Sequence, residues 1–196
     1  MTELLPLMTY CLLMSGTPGP NNMLMVASGA HHGWRRTLPA VLGINTGVAM
    51  LTFAACLGLG ALFTAWPPLH AALKLAGTVY MLALAWRLAR SKPARAQAQA
   101  PRQLGFRQAV LFQLVNPKSW VKAVTLASVF MPTGYDPLAG ALLVSLIGAV
   151  IGFPCTSSWA LFGAWIGRFL SSPLRQRAFN AIMAASLAVL ALLLLR

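Results

Sequence analysis

Apolar residues run along this chain in six blocks, with polar residues gathered between them. The blocks cover residues 4–26, 38–65, 69–86, 106–131, 138–166 and 178–195. About twenty apolar residues in a helix cross the hydrocarbon core of a bilayer, and more where the helix tilts. The pattern therefore predicts an all-α membrane protein of six transmembrane helices in one domain over 1–196. A first half (1–90) and a second half (105–196) flank a polar linker (91–104). Two blocks are interrupted near their middles. The first carries "TPGPNN" (17–22) and the fourth "LVNPKSW" (114–120).

Composition agrees with a bilayer setting. The chain is 58% hydrophobic and 9% charged, where a soluble domain carries about a quarter charged residues. Fifteen Lys and Arg stand against two acids, Glu3 and Asp136. A charge of +13 raises the thought of nucleic acid, but that needs a basic face on a soluble fold. Here eleven of the fifteen basic residues gather at or between the ends of the blocks instead. Arg35 and Arg36 follow the first block; Arg87, Arg90, Lys92, Arg95, Arg102 and Arg107 follow the third; Arg168, Arg175 and Arg177 follow the fifth. The connections "WPPLH" and "MPTGYDP" hold none. Basic loops stay on the cytoplasmic side, so both ends of the chain are expected on the outer face. The linker reads as a basic cytoplasmic segment lying beside anionic lipid. The first block lacks a basic flank and reads as a retained helix rather than a signal peptide.

Other chemistry is sparse. Cys11, Cys56 and Cys155 are widely spaced within apolar blocks and read as small buried hydrophobes. His31, His32 and His70 lie at block edges with no carboxylate beside them, a poor metal set; they read as interfacial polar residues. No cofactor or metal is expected. Hydrolysis would need a Ser–His or paired-carboxylate arrangement at depth, so no enzyme is expected either.

The two interruptions carry the functional expectation. Proline lacks an N–H and keeps the preceding residue out of the α region. Pro18-Gly19-Pro20 should unwind a turn of the first helix, and Asn116-Pro117 a turn of the fourth. Unpaired backbone cannot face lipid, so the breaks must line protein or a wet cavity. The half-helix beginning there offers free N–H groups and a positive dipole end, a seat for a carboxylate. Asn21 and Asn22 are expected to cap it or to donate to a ligand. Lys118 and Lys122 are four apart, on one helical face; Lys118 should face inward, and Lys122 is expected to snorkel toward the outer surface. Asn45 and Thr46, with Thr156, Ser157 and Ser158, are further polar groups at depth. Each half also carries a GxxxG, Gly43–Gly47 and Gly148–Gly152, expected to allow close helix packing. An odd number of helices per half gives two inverted three-helix repeats, the plan of transporters whose sites form where broken helices meet.

The stretch "TPGPNNMLMVASGAHHGWRRTLPAVLGINTG", with "LKLAGTVYMLALAWRL" (Lys74, Gly77, Tyr80) and "LFQLVNPKSW", resembles the LysE/RhtB family of bacterial amino-acid exporters across nearly the whole chain. The resemblance implies a six-helix inner-membrane carrier, with Pro18, Gly19, Pro20, Asn21, Asn116, Pro117 and Lys118 matching its two signature elements. "FQLVN" and "SSWALFGAWIG" are similar to the branch that carries cysteine and O-acetylserine, which implies small neutral amino acids, homoserine and threonine among them. The segment after NPK, "SWVKAV", departs from the aromatic run of many members.

The sequence thus predicts an amino-acid exporter working by alternating access, with a small zwitterion between the halves, coupling to protons open and a homo-oligomer allowed. Its expected contacts are Pro18, Gly19, Pro20, Asn21, Asn22, Asn45, Asn116, Pro117, Lys118 and Ser157, with the ammonium on carbonyls freed by the breaks. The alternatives are a metal-ion or other small-solute carrier on a related fold and a non-transporting membrane protein. Hard cations want carboxylates, and the six blocks hold none.

Overall fold

The computed structural model describes residues 4–59, 67–90, 103–132, 134–170 and 172–193. Glu3, Trp66 and most of the basic linker (91–102) lie outside the described residues, as do the side chains of His70 and Lys74. Among the described residues there are seven helices and no strand. They are α1 (Leu4–Gly16), α2 (Pro20–Ala54), α3 (Pro67–Ala89), α4 (Phe106–Val115), α5 (Pro117–Val129), α6 (Pro137–Gly167) and α7 (Pro173–Leu193). A turn of π-helix, Ala55–Leu59, continues α2.

Both expected breaks are present. α1 stops at Gly16 and α2 starts at Pro20, while Asn116 separates α4 from α5. Each new helix opens on proline at its first position, where the missing N–H is no loss. The connection expected around Arg35 and Arg36 is different. It is no loop but a corner at Gly33, whose φ of 77° and ψ of 169° interrupt the otherwise helical α2. A residue with a Cβ resists that backbone, and glycine does not. Hydroxyls hold the corner: Thr37 Oγ1 donates to the Gly33 carbonyl at 2.9 Å and lies 3.0 Å from Ser28 Oγ.

Packing follows the small residues. α2 and α6 form the most extensive pair, and α3 pairs with α7. Gly43 and Gly47 lie against α4, where added Cβ atoms would strike the Phe106 carbonyl and Gln113 Cγ. In the second half the expected Gly148–Gly152 motif is not the close-packing one. Gly148 has only ordinary contacts, and Gly152 gives room to the Asn45 side chain. The close approach to α2 is made by Gly163 and Gly167, against the Val26 and Ala30 carbonyls, with Gly29 against Ala160. Leu5, Val150 and Leu174 are among many large apolar side chains on the outer surface, which suits a lipid solvent. α6 and the length of chain from Pro20 to Gly58 are both long and apolar enough to span a bilayer.

Candidate functional site: a polar cavity between two helix breaks

Local sequence opens the first break and side chains from elsewhere close it. Gly19 caps α2 in an extended conformation and offers no side-chain acceptor. Asn22, 4% exposed, turns back and donates to the Ser15 and Thr17 carbonyls at 2.9 and 2.8 Å. Trp159 Nε1, from α6, donates to the Gly16 carbonyl at 3.1 Å. Lys118 Nζ, from α5, donates to the Thr17 carbonyl and hydroxyl at 2.8 Å each and lies 3.3 Å from the Pro18 carbonyl. Every carbonyl from Ser15 to Pro18 therefore has a side-chain donor, as a helix break set in a bilayer requires. The carbonyls that the sequence assigns to a cargo ammonium are already engaged, one of them chiefly by the Lys118 ammonium. The Lys118 stem crosses Gly19 so closely that a Cβ there would lie 2.8 Å from its Cδ.

The second break is capped as expected. The Asn116 side chain accepts from the Lys118 N–H at 3.2 Å, and Trp120 Nε1 donates to the Leu114 carbonyl at 2.7 Å. Gly77 of α3 abuts the Val115 carbonyl, and the Tyr80 ring lies 5.1 Å from that of Phe112. Gln113, fully buried, joins the two breaks. It exchanges hydrogen bonds with Asn21 at 3.0 and 3.1 Å. Its Oε1 also accepts from Ser119 at 2.7 Å and from Asn116 at 3.4 Å. Gln113 is not among the site residues expected from the sequence, where its one signal is an amide a turn before Asn116.

A cavity of about 40 Å³ lies between the breaks, lined by Gly19, Asn21, Asn22, Asn45, Lys118 and Lys122, with Ser15, Ser119 and Thr156. Of the expected contacts, Gly19, Asn21, Asn22, Asn45 and Lys118 line it. Pro18, Pro20, Asn116 and Pro117 shape it through the backbone without lining it. Ser157 does not reach it: its hydroxyl is buried without a partner among the described residues. Thr46 is exposed, and Ser158 donates to its own helix at Cys155. Lys122 corrects the expectation of snorkelling. It is 6% exposed and its Nζ donates to Ser15 Oγ at 2.8 Å, because its face of α5 turns onto α1 and away from lipid.

At the other end of the half-helix that begins at Pro20, a recess of about 210 Å³ opens between α2, α3, α4 and α7, with His31, His32, Arg87 and Gln108 in its wall. His31 Nε2 lies 2.9 Å from Asn180 Oδ1 of α7, so this histidine is an interhelix contact. Cys11 and Cys155 are buried and free, and no group of three or more metal-ligating side chains occurs among the described residues.

Broken helices meeting at a polar, doubly cationic cavity inside an apolar helical shell define a membrane translocator. The family described as LysE type translocator matches residues 12–196, and the chain belongs to that family. Three relatives are named cysteine/O-acetylserine efflux protein. The one from Klebsiella pneumoniae subsp. pneumoniae is 35% identical over 92% of this chain and 90% of its own. The Salmonella choleraesuis protein is 32% identical over 79% of each chain. The protein of Escherichia coli O1:K1 / APEC is 31% identical over 90% and 89%. No solved structure matches the chain. A transporter of amino acids in a membrane is the class these findings establish, and its substrate a small molecule.

Proposed function

We propose that this chain exports small neutral amino acids, of the cysteine and O-acetylserine kind, across a bacterial inner membrane by alternating access. The observation that carries the reading is the meeting of the two breaks: Lys118, from the second, occupies the carbonyls of the first. An ammonium is already bound where a cargo ammonium would bind. A zwitterion entering there displaces Lys118 from the Thr17 and Pro18 carbonyls and sets its carboxylate in the cavity that Lys118 and Lys122 both line. Asn21 and the Gln113 amide keep the two breaks in register while this happens. The names of the relatives support the substrate class.

The architecture proposed is six spans in two inverted halves. Its support is that symmetry-related parts contact one another: the two breaks meet, α2 pairs with α6, and α3 with α7. Rocking of one half against the other would open the cavity to either side, and the recess beside Arg87 would be the way in from the basic face.

Efflux from proteoliposomes preloaded with labelled cysteine, O-acetylserine, homoserine or threonine, with and without a proton gradient, tests the reading. Saturable release of one of these is expected, reduced at least tenfold in Asn21→Ala or Asn116→Ala protein that elutes as folded carrier. No release of any of them from correctly inserted wild-type carrier overturns it.

A further inference from the structure

We propose that the cavity between the breaks is a seat for a small monovalent anion held by Lys122, filled by chloride in the cargo-free carrier and by the cargo carboxylate in the loaded one. The first half stands apart from the amino-acid reading; the second rests on it.

Charge is the first ground. Lys118 and Lys122 both line the cavity, and no carboxylate does. Among the described residues the one carboxylate is Asp136, which caps α6 through the Leu138 and Ala139 N–H groups. The two lysines differ in how they are held. Lys118 has two carbonyl oxygens and a hydroxyl around its ammonium. Lys122 is the more deeply buried, and its one hydrogen bond among the described residues goes to a neutral hydroxyl. An ammonium has three N–H donors, so two of those on Lys122 remain for a ligand. A buried charge without a partner of opposite sign is strongly disfavoured. The other titratable groups facing this region, Cys11 on α1 and Cys155 on α6, are thiols and supply no fixed negative charge.

Room is the second ground. A water needs about 10–15 Å³ of such space, so a cavity of about 40 Å³ takes roughly three waters, or one halide with a water beside it. A whole amino acid is larger than this cavity, whereas its carboxylate end is not. The donors that remain also suit an anion: the Ser15 hydroxyl hydrogen, and the first-turn N–H groups of Asn21 and Asn22 beside Gly19.

The test is equilibrium binding of radiolabelled chloride to purified, cargo-free carrier in detergent, in a sucrose-balanced buffer of low ionic strength that supplies no competing small anion. Saturable binding near one ion per chain is expected in the wild type. It should weaken at least tenfold in Lys122→Gln and remain within about threefold in Lys122→Arg, which keeps the charge. Should Lys122→Gln fail to fold, Lys122→Met, which keeps the apolar stem, takes its place. No saturable chloride binding to the wild type, or unchanged binding in the neutral Lys122 variant, overturns the seat. Cysteine or O-acetylserine added to the chloride-loaded wild type should compete. Chloride binding without such competition overturns the carboxylate half and leaves the chloride half standing.

Discussion

Three donors converge on the Gln113 side-chain oxygen, from Asn21, Asn116 and Ser119. Replacing Gln113 by Leu leaves all three without that acceptor, two of them, Asn116 and Ser119, buried. Each buried polar group so stranded costs about 1–3 kcal/mol, so thermal unfolding of Gln113→Leu, followed by tryptophan fluorescence, should begin several degrees below wild type. An unchanged midpoint would remove Gln113 as the joint between the breaks. Nearby, Lys118→Met takes one donor from the Thr17 carbonyl, which keeps Asn22, and the only donor among the described residues from the Pro18 carbonyl. Backbone hydrogen exchange over residues 19–23 should rise in that variant while the corner at Gly33 keeps its wild-type rate. These residues were unequally legible. Asn116 declared its capping role through the proline that follows it. Asn22 did not, because its donors go backward across the break to Ser15 and Thr17, a fold-back that the chain's local pattern does not encode.

Helices in this protein are spaced by which glycines face a neighbour's backbone. A Cβ at Gly77 would run into the Val115 carbonyl beside the second break, whereas one at Gly148 meets nothing nearer than 3.8 Å. Gly77→Ala should therefore destabilise by about 1–3 kcal/mol through overpacking, and Gly148→Ala should be neutral or stabilise by up to about 1 kcal/mol through lost chain entropy. Chemical unfolding of the pair in one detergent checks both; equal effects would mean that the helices do not approach as described. A second contrast lies at the corner of α2. Gly33→Ala must hold φ 77° with ψ 169°, a region essentially reserved for glycine, at about 1–3 kcal/mol, and its unfolding midpoint should fall although nothing among the described residues lies within 4 Å of the added atom. The sequence pointed to GxxxG in each half and was right about the approach of Gly43 and Gly47. It chose the wrong pair in α6, since "GAVIG" and "GAWIG" carry the same spacing and only helix rotation separates them.

On the scale of the whole molecule, the distribution of basic residues sets a prediction about orientation. With six spans, Arg36, Arg90 and Gln176 fall on the cytoplasmic side and Tyr135 on the outer side. In a background with its three cysteines replaced, Arg36→Cys and Gln176→Cys should react with a membrane-impermeant maleimide only after the cells are opened, and Tyr135→Cys before. Labelling of all three from the same side would contradict both the six-span plan and the inverted halves.

The sequence by itself determined the solvent, the number of apolar blocks, the two places where helices break and the absence of a carboxylate from those blocks. These follow from composition and from the covalent limits of proline, which hold wherever the chain goes. Tertiary structure alone decided what fills the breaks. Four consecutive carbonyls at the first break are met by Asn22, Trp159 and Lys118, from three different helices, and no reading along the chain can pair residues about a hundred positions apart. It also decided the fate of the lysines. A spacing of four puts Lys118 and Lys122 on one face, but whether that face meets lipid or α1 depends on how α5 is rotated against its neighbours, and packing fixes that rotation.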